Sequence, residues 1–176
     1  MHSLCTKLAC CLQFIWAENR GGDKMETMLH EDLIYMEYPA KEREALLREL
    51  SDILQEKGYV KDSYQGAILE REQKYPTGLN TPGIPLAMPH AEAEHVNEPA
   101  ILVAKLTEPV VFKEMGNSGN DVPAKFVFML AVSNPEGHLA TLSKFMSIFS
   151  QEDKLRALYA INDKKLLMTE LGKILA

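Results

Sequence analysis

The sequence predicts an α/β domain in which helices are layered with a few strands. Three observations predict it. Apolar residues recur at the helical period in several separate segments, and short apolar runs lie between them. One such run, residues 126–132, is almost wholly apolar, as a central strand covered on both faces would be. The chain has 176 residues, enough for one domain and cramped for two. Folding at this size buries about 70% of the unfolded chain's surface, so a core can form without staples.

Taken in order, Leu33-Ile34-Tyr35-Met36 reads as the first strand. A helix is expected from Pro39 to about Lys57. Its Leu46, Leu47, Leu50, Ile53 and Leu54 keep the 3.6-residue period, and Gly58 supplies the stop. A second helix begins near Asp62-Ser63, natural caps, and runs through Ile68, Leu69 and Arg71. Residues 75–83 then hold Pro76, Gly78, Pro82 and Gly83, which fix a backbone path while breaking helix and strand. Residues 84–90 lead out of that loop. Strands are expected at 100–106, 110–112 and 125–132. Asn134-Pro135 caps and opens a helix whose buried stripe is expected to be Leu139, Leu142, Met146 and Phe149. Two shorter helices follow near 153–160 and 163–175. The chain carries no internal repeat and no low-complexity segment.

Charge narrows the function classes. Lys and Arg number 19 against 25 Asp and Glu, a net charge of −6, which argues against a nucleic-acid partner. No window approaches about 20 uninterrupted apolar residues, so no membrane insertion is expected. The averages hide an asymmetry, because Cys5, Cys10, Cys11 and the single Trp16 all lie in the first 16 residues. Residues 1–24 carry one net positive charge, which leaves −7 on residues 25–176. The apolar run from Leu8 to Trp16 is broken by Gln13 and lacks both a charged lead-in and a small-x-small cleavage site, unlike a signal peptide. The three cysteines are poorly spaced for zinc. Two glycine codons before Met25 can be written GGAGGN, a ribosome-binding sequence, so the natural start is expected at Met25. Residues 1–24 then form an N-terminal extension outside the evolved domain, with a flexible appendage or a small extra helix as the alternative. Glycine codons lacking GGAGG would remove this argument.

The chain has no GxxxxGK[ST] or GxGxxG phosphate loop, no GxSxG elbow, and no cysteine after Met25. The residues of interest are His90, His138, Arg71 and, less so, His95. His90 follows Pro89, whose locked backbone gives the imidazole a rigid support. A neutral imidazole, with an ordinary pKa of about 6.5, is a good nucleophile near pH 7 and can carry a phosphoryl group. Such a group needs donors for its oxygens. Arg71 offers a planar fork, and His138 falls in the first turn of the Asn134-capped helix, where the N-terminal potential favours an anion. That potential should also keep His138 a neutral N–H donor. Singly, each has a plainer reading: a histidine beside a proline is more often structural, an arginine in Glu70-Arg71-Glu72 is usually a solvated ion-pair member, and His138 alone could be a cap. The constellation outweighs its members. The rival is a metal site from His90, Glu92, Glu94 and His95, but a histidine spacing of five in a loop does not fit the i, i+4 pairs that metals use on helices.

At Ile84-Pro85-Leu86-Ala87-Met88-Pro89-His90-Ala91 the sequence resembles the mannitol/fructose-type enzyme IIA proteins of the bacterial sugar phosphotransferase system, with their Ala-hydrophobic-Pro-His core. Residues 69–79, Glu94-His95-Val96, residues 111–117 and residues 126–132 look most like the galactitol branch. The likeness covers roughly residues 30–176, and several separate motifs match in order. It implies an α/β fold of three layers, a central mixed sheet between helices, with residues 25–176 as the enzyme IIA domain. It implies a cytoplasmic phosphotransferase with no cofactor and no metal. In that family the motif histidine, here His90, accepts phosphate through Nε2 from the phosphocarrier protein HPr. The phosphate passes to a cysteine of enzyme IIB and finally to a sugar entering through enzyme IIC. By motif position Arg71 is the family's active-site arginine and His138 its assisting histidine. The chain departs at Ile84, where the mannitol branch has an acidic residue, so no catalytic carboxylate is named. It departs again at Ala91-Glu92, where galactitol-like members commonly have Thr-Asp. The expected activity is phosphoryl relay for uptake of a galactitol-like polyol. The alternative is a regulatory IIA-like phosphosensor controlling another protein. A module that kept the fold and lost the chemistry is argued against by the joint presence of Arg71, His90 and His138.

Overall fold

The computed structural model describes residues 28–116, 118–133 and 135–175, without the side chains of residues 135–138, so the expectation for residues 1–24 lies outside the described residues. Five strands form one mixed sheet. They are β1 (Leu29–Tyr38), β2 (Gly78–Leu79), β3 (Leu86–Ala87), β4 (Ala100–Lys113) and β5 (Asp121–Ala131), in the order β1-β4-β5-β3-β2. β1 runs parallel to β4 and β3 parallel to β5, while the β4–β5 and β2–β3 pairs are antiparallel. The five helices are α1 (Arg43–Glu56), α2 (Tyr64–Lys74), α3 (Pro135–Phe149), α4 (Glu152–Ala160) and α5 (Lys164–Leu175).

Alternation along the inner strands sorts the core into two. Leu102 and Ala104 of β4 and Val127 and Met129 of β5 pack with Leu46, Leu47, Leu50 and Leu54 of α1 and with Ile68 of α2. Ile101, Val103, Phe126, Phe128 and Leu130 face the other way, onto Phe145 and Phe149 of α3, Leu155 and Leu158 of α4, and Leu167 and Leu171 of α5. Phe128 meets both Phe145 and Phe149 at ring-centre distances of 5.1 Å. The expected three layers are therefore present, and the apolar β5 lies inside the sheet between β4 and β3, as its composition implied.

Several elements differ in detail from the sequence reading. α1 starts at Arg43, not Pro39, because the buried stripe begins only at Leu46 and the backbone at Glu42 is still extended. Gly58 does end the helix, at φ +84°, a left-handed conformation that a Cβ would strain. Ser63 holds the N-cap position of α2 but gives it no side-chain bond, since its Oγ lies 2.9 Å from Nδ1 of His95. The strands expected at 100–106 and 110–112 are one strand, β4. Its register with β5 shifts between Lys105 and Val110, where Pro109 has no N–H to give the ladder. The stripe assigned to α3 is only partly buried. Phe149 is inside, joined by Phe145, but Leu139 is 69% exposed and Met146 42%.

The loop between α2 and β3 carries the two-residue strand β2, pressed against the ends of β4 and β5. A Cβ built on Gly78 would come within 2.6 Å of the Lys113 carbonyl oxygen and 3.1 Å of both Phe112 Cβ and Val122 Cβ. The close atom is backbone and has little room to retreat. Gly78→Ala should cost about 1–3 kcal/mol, as overpacking does, and lower the urea midpoint of unfolding. An unchanged midpoint would show that the loop is looser than its contacts suggest.

Candidate functional site

His90 follows directly on β3 and Pro89 and makes an isolated parallel bridge to Leu130 at the carboxyl end of β5. Two bonds fix that backbone: the Leu130 N–H donates to the Pro89 carbonyl at 3.0 Å, and the wholly buried Tyr64 hydroxyl donates to the Leu130 carbonyl at 2.9 Å. The carboxyl ends of parallel strands are where open α/β sheets commonly place ligands. His90 itself is only 6% exposed.

The ring orientation follows from one contact. His90 Nδ1 lies 2.8 Å from the backbone oxygen of Met88. A carbonyl oxygen can only accept, so Nδ1 carries the proton in this bond. In the neutral ring the lone pair is then on Nε2, the nitrogen available as nucleophile or proton acceptor.

His90 shares the wall of a depression of about 260 Å³ with Arg71, Tyr75, Pro76, Met88, Met115 and, from α3, Leu142 and Met146. Arg71 comes from the last turn of α2. Its Nε donates to Glu92 Oε1 at 3.3 Å, and its guanidinium lies 5.7 Å from the centre of the Tyr75 ring. Tyr75, Met115 and Met146 are exposed and make much of the rim apolar, and Arg71 brings the positive charge to the lining. Such a hollow can hold a small anion against a cation and a nucleophile, and it leaves an apolar margin for a larger body to rest on.

The fold thus brings together two of the three residues singled out, His90 and Arg71. His138 lies in the first turn of α3, four residues before Leu142 and just after β5, but its side chain lies outside the described residues. His95 is engaged elsewhere, with Ser63 at 2.9 Å and Glu94 at 3.5 Å. Among the described residues no group of three or more His, Cys, Asp or Glu could hold a metal. No helix among them is long and apolar enough to cross a membrane.

Sequence reasoning missed Tyr75, Met115 and the Arg71 partner Glu92, and it assigned to the core Met146, which is exposed; Leu142 does pack against the core and also lines this hollow. Leu142 and Met146 stand at i and i+4 and so share one edge of α3, where the buried face passes into the lining of this hollow.

Comparison with known proteins places the chain in a family. Residues 27–173 match the family model described as phosphoenolpyruvate-dependent sugar phosphotransferase system, EIIA 2. The galactitol-specific EIIA component of the PTS system of Escherichia coli K12 is 30% identical over 125 residues, which cover 71% of this chain and 83% of that protein. The transcriptional regulator ManR of Bacillus subtilis is 32% identical over 133 residues, covering 74% of this chain and 19% of that protein. Among solved structures, the complex of mannitol enzyme IIA and phosphorylated enzyme IIB from Escherichia coli contains a chain matched with TM-score 0.65 at 24% identity, covering 82% of this chain and 98% of that one.

Proposed function

Because the chain belongs to the EIIA 2 family of the phosphoenolpyruvate-dependent sugar phosphotransferase system, we propose that it relays a phosphoryl group through His90 Nε2, from the phosphocarrier protein HPr to a cysteine of an enzyme IIB, for cytoplasmic capture of a galactitol-like polyol entering through enzyme IIC. The observation that carries this reading is the bond from His90 Nδ1 to the Met88 carbonyl. It leaves Nε2 with the lone pair and keeps a negative dipole behind the ring as positive charge develops on it.

The steps balance without a cofactor. Nε2 attacks the phosphorus of phosphohistidine on HPr. A new N–P bond forms as the donor's N–P bond breaks, and the electron pair returns to the donor imidazole. In the second step a IIB thiolate forms an S–P bond, and the pair of the breaking N–P bond returns to Nε2. Arg71 exchanges Glu92 for the phosphoryl oxygens, as a guanidinium fork suits. His138 is assigned the second donor, at the positive end of α3.

Two different partners must reach one histidine, and the apolar rim suits that demand. Met115 and Met146 are exposed, unbranched and polarisable and can conform to either visitor. The hollow is shallow, so each interface is expected at the small, fast-releasing end of the range. The IIB partner accords with the mannitol complex, in which a related fold sits with phosphorylated IIB. The galactitol-specific relative supports the polyol. A regulatory reading rests on the likeness to ManR; in it the same phosphorylated His90 would control a bound protein.

The deciding experiment is incubation of the chain with phosphoenolpyruvate, enzyme I and HPr. Acid-labile phosphate should appear on His90. Correctly folded chain that takes up no label would overturn the relay.

A further inference from the structure

We infer that Glu72 is a positioning residue for His90, holding through Thr77 and Met88 the carbonyl that accepts the His90 Nδ1–H and so leaving Nε2 unprotonated. Glu72 belongs to the last turn of α2, next to Arg71, yet it points inward and is 3% exposed. Both its oxygens are occupied by one residue. The Thr77 N–H donates to Oε1 at 3.1 Å and the Thr77 hydroxyl to Oε2 at 2.6 Å. The Thr77 carbonyl accepts the Met88 N–H at 3.1 Å, and the Met88 carbonyl accepts His90 Nδ1–H at 2.8 Å. A buried carboxylate is thus three residues' bonds away from the ring it serves.

The local fold explains why such an anchor is needed. Thr77, which positions Met88, leads directly into β2, a strand of two residues at the sheet edge that backbone pairing alone holds weakly. Burial pushes the Glu72 carboxyl upward, and the two Thr77 bonds work against that shift. A buried acid with this much to lose by misplacement makes a stiff support. The tautomer of a neutral imidazole is set by the bond its other nitrogen makes. If the Met88 carbonyl turns away, the proton can settle on Nε2 and the nucleophile is lost.

This inference rests on the phosphoryl-relay reading, and its test separates the two. The His90 tautomer is read by long-range ¹⁵N–¹H NMR on unphosphorylated protein, and single-turnover transfer from phosphorylated HPr is timed on the same samples. Thr77→Val and Glu72→Ala should populate the Nε2–H form and lower the limiting rate about tenfold or more, with the HPr concentration at half-rate unchanged. Thr77→Ser and Glu72→Gln, which keep an acceptor and a hydroxyl in place, should restore most of the rate. Folding is checked by the dispersed amide spectrum. If Glu72→Ala does not fold, Thr77→Val decides alone. Folded Thr77→Val with the parental tautomer and rate overturns the positioning role. Parent protein that takes no phosphoryl group overturns the relay, and the tautomer measurement still decides the role of Glu72.

Discussion

His90→Ala should take up no phosphoryl group from phosphoenolpyruvate, enzyme I and HPr at any incubation time. The loss should be total, because the proposed reaction makes an N–P bond and the variant has no nitrogen there to form it. The hydroxyl of Thr77, which also lines the hollow, is committed to Glu72. The fold should survive. Loss of the Nδ1 hydrogen bond leaves the Met88 carbonyl short of a partner, a cost of about 1–3 kcal/mol in a domain of this size. Circular dichroism and a melting curve check that the protein is intact. Acid-labile phosphate persisting on folded His90→Ala would move the site to another residue.

Arg71→Ala should lower the transfer rate about a hundredfold while leaving the fold in place, in line with removing one donor from a developing oxyanion. Its removal also frees Glu92, two residues from His90, to repel the incoming phosphate. The double variant Arg71→Ala/Glu92→Ala should therefore recover part of the loss. Arg71→Lys should recover less than its charge suggests, because an ammonium cannot reproduce the planar fork. His138→Ala should also slow transfer with the fold intact. Rates are compared by quenched-flow labelling at matched HPr. A folded Arg71→Ala that transfers at the parental rate would remove the guanidinium from the chemistry.

The parts of this fold that the sequence announced are those where a single physical demand dominates. β5 must be apolar on both faces because helices cover both, and α1 must repeat its leucines at the helical period because one face alone is buried. The meeting of His90 and Arg71 in one hollow was foreseeable because Pro89-His90 stands in a motif and a phosphate site would need a cation. Where two demands compete, the reading slipped. Met146 satisfies the helical period, yet it is exposed at a surface hollow, and periodicity alone cannot tell a core position from one at the edge of a docking surface. Ser63 looked like a cap and instead binds His95 across 32 residues. Nothing in Glu70-Arg71-Glu72 marks Glu72 as buried. Its burial depends on Thr77 folding back onto it, a contact that no pattern along the chain reveals.

The walls of the hollow come from opposite sides of the sheet: Arg71 from the layer of α1 and α2, Leu142 and Met146 from the layer of α3 to α5, with His90 at the strand end between them. A chain with one layer docked and the other loose has the histidine but no receptacle around it. Capacity to be labelled is then a certificate of completion. In a refolding experiment sampled with phosphorylated HPr, label should appear with the last kinetic phase, and a fragment lacking residues beyond 133 should remain unlabelled. An unfinished copy would draw no phosphate from the shared HPr pool.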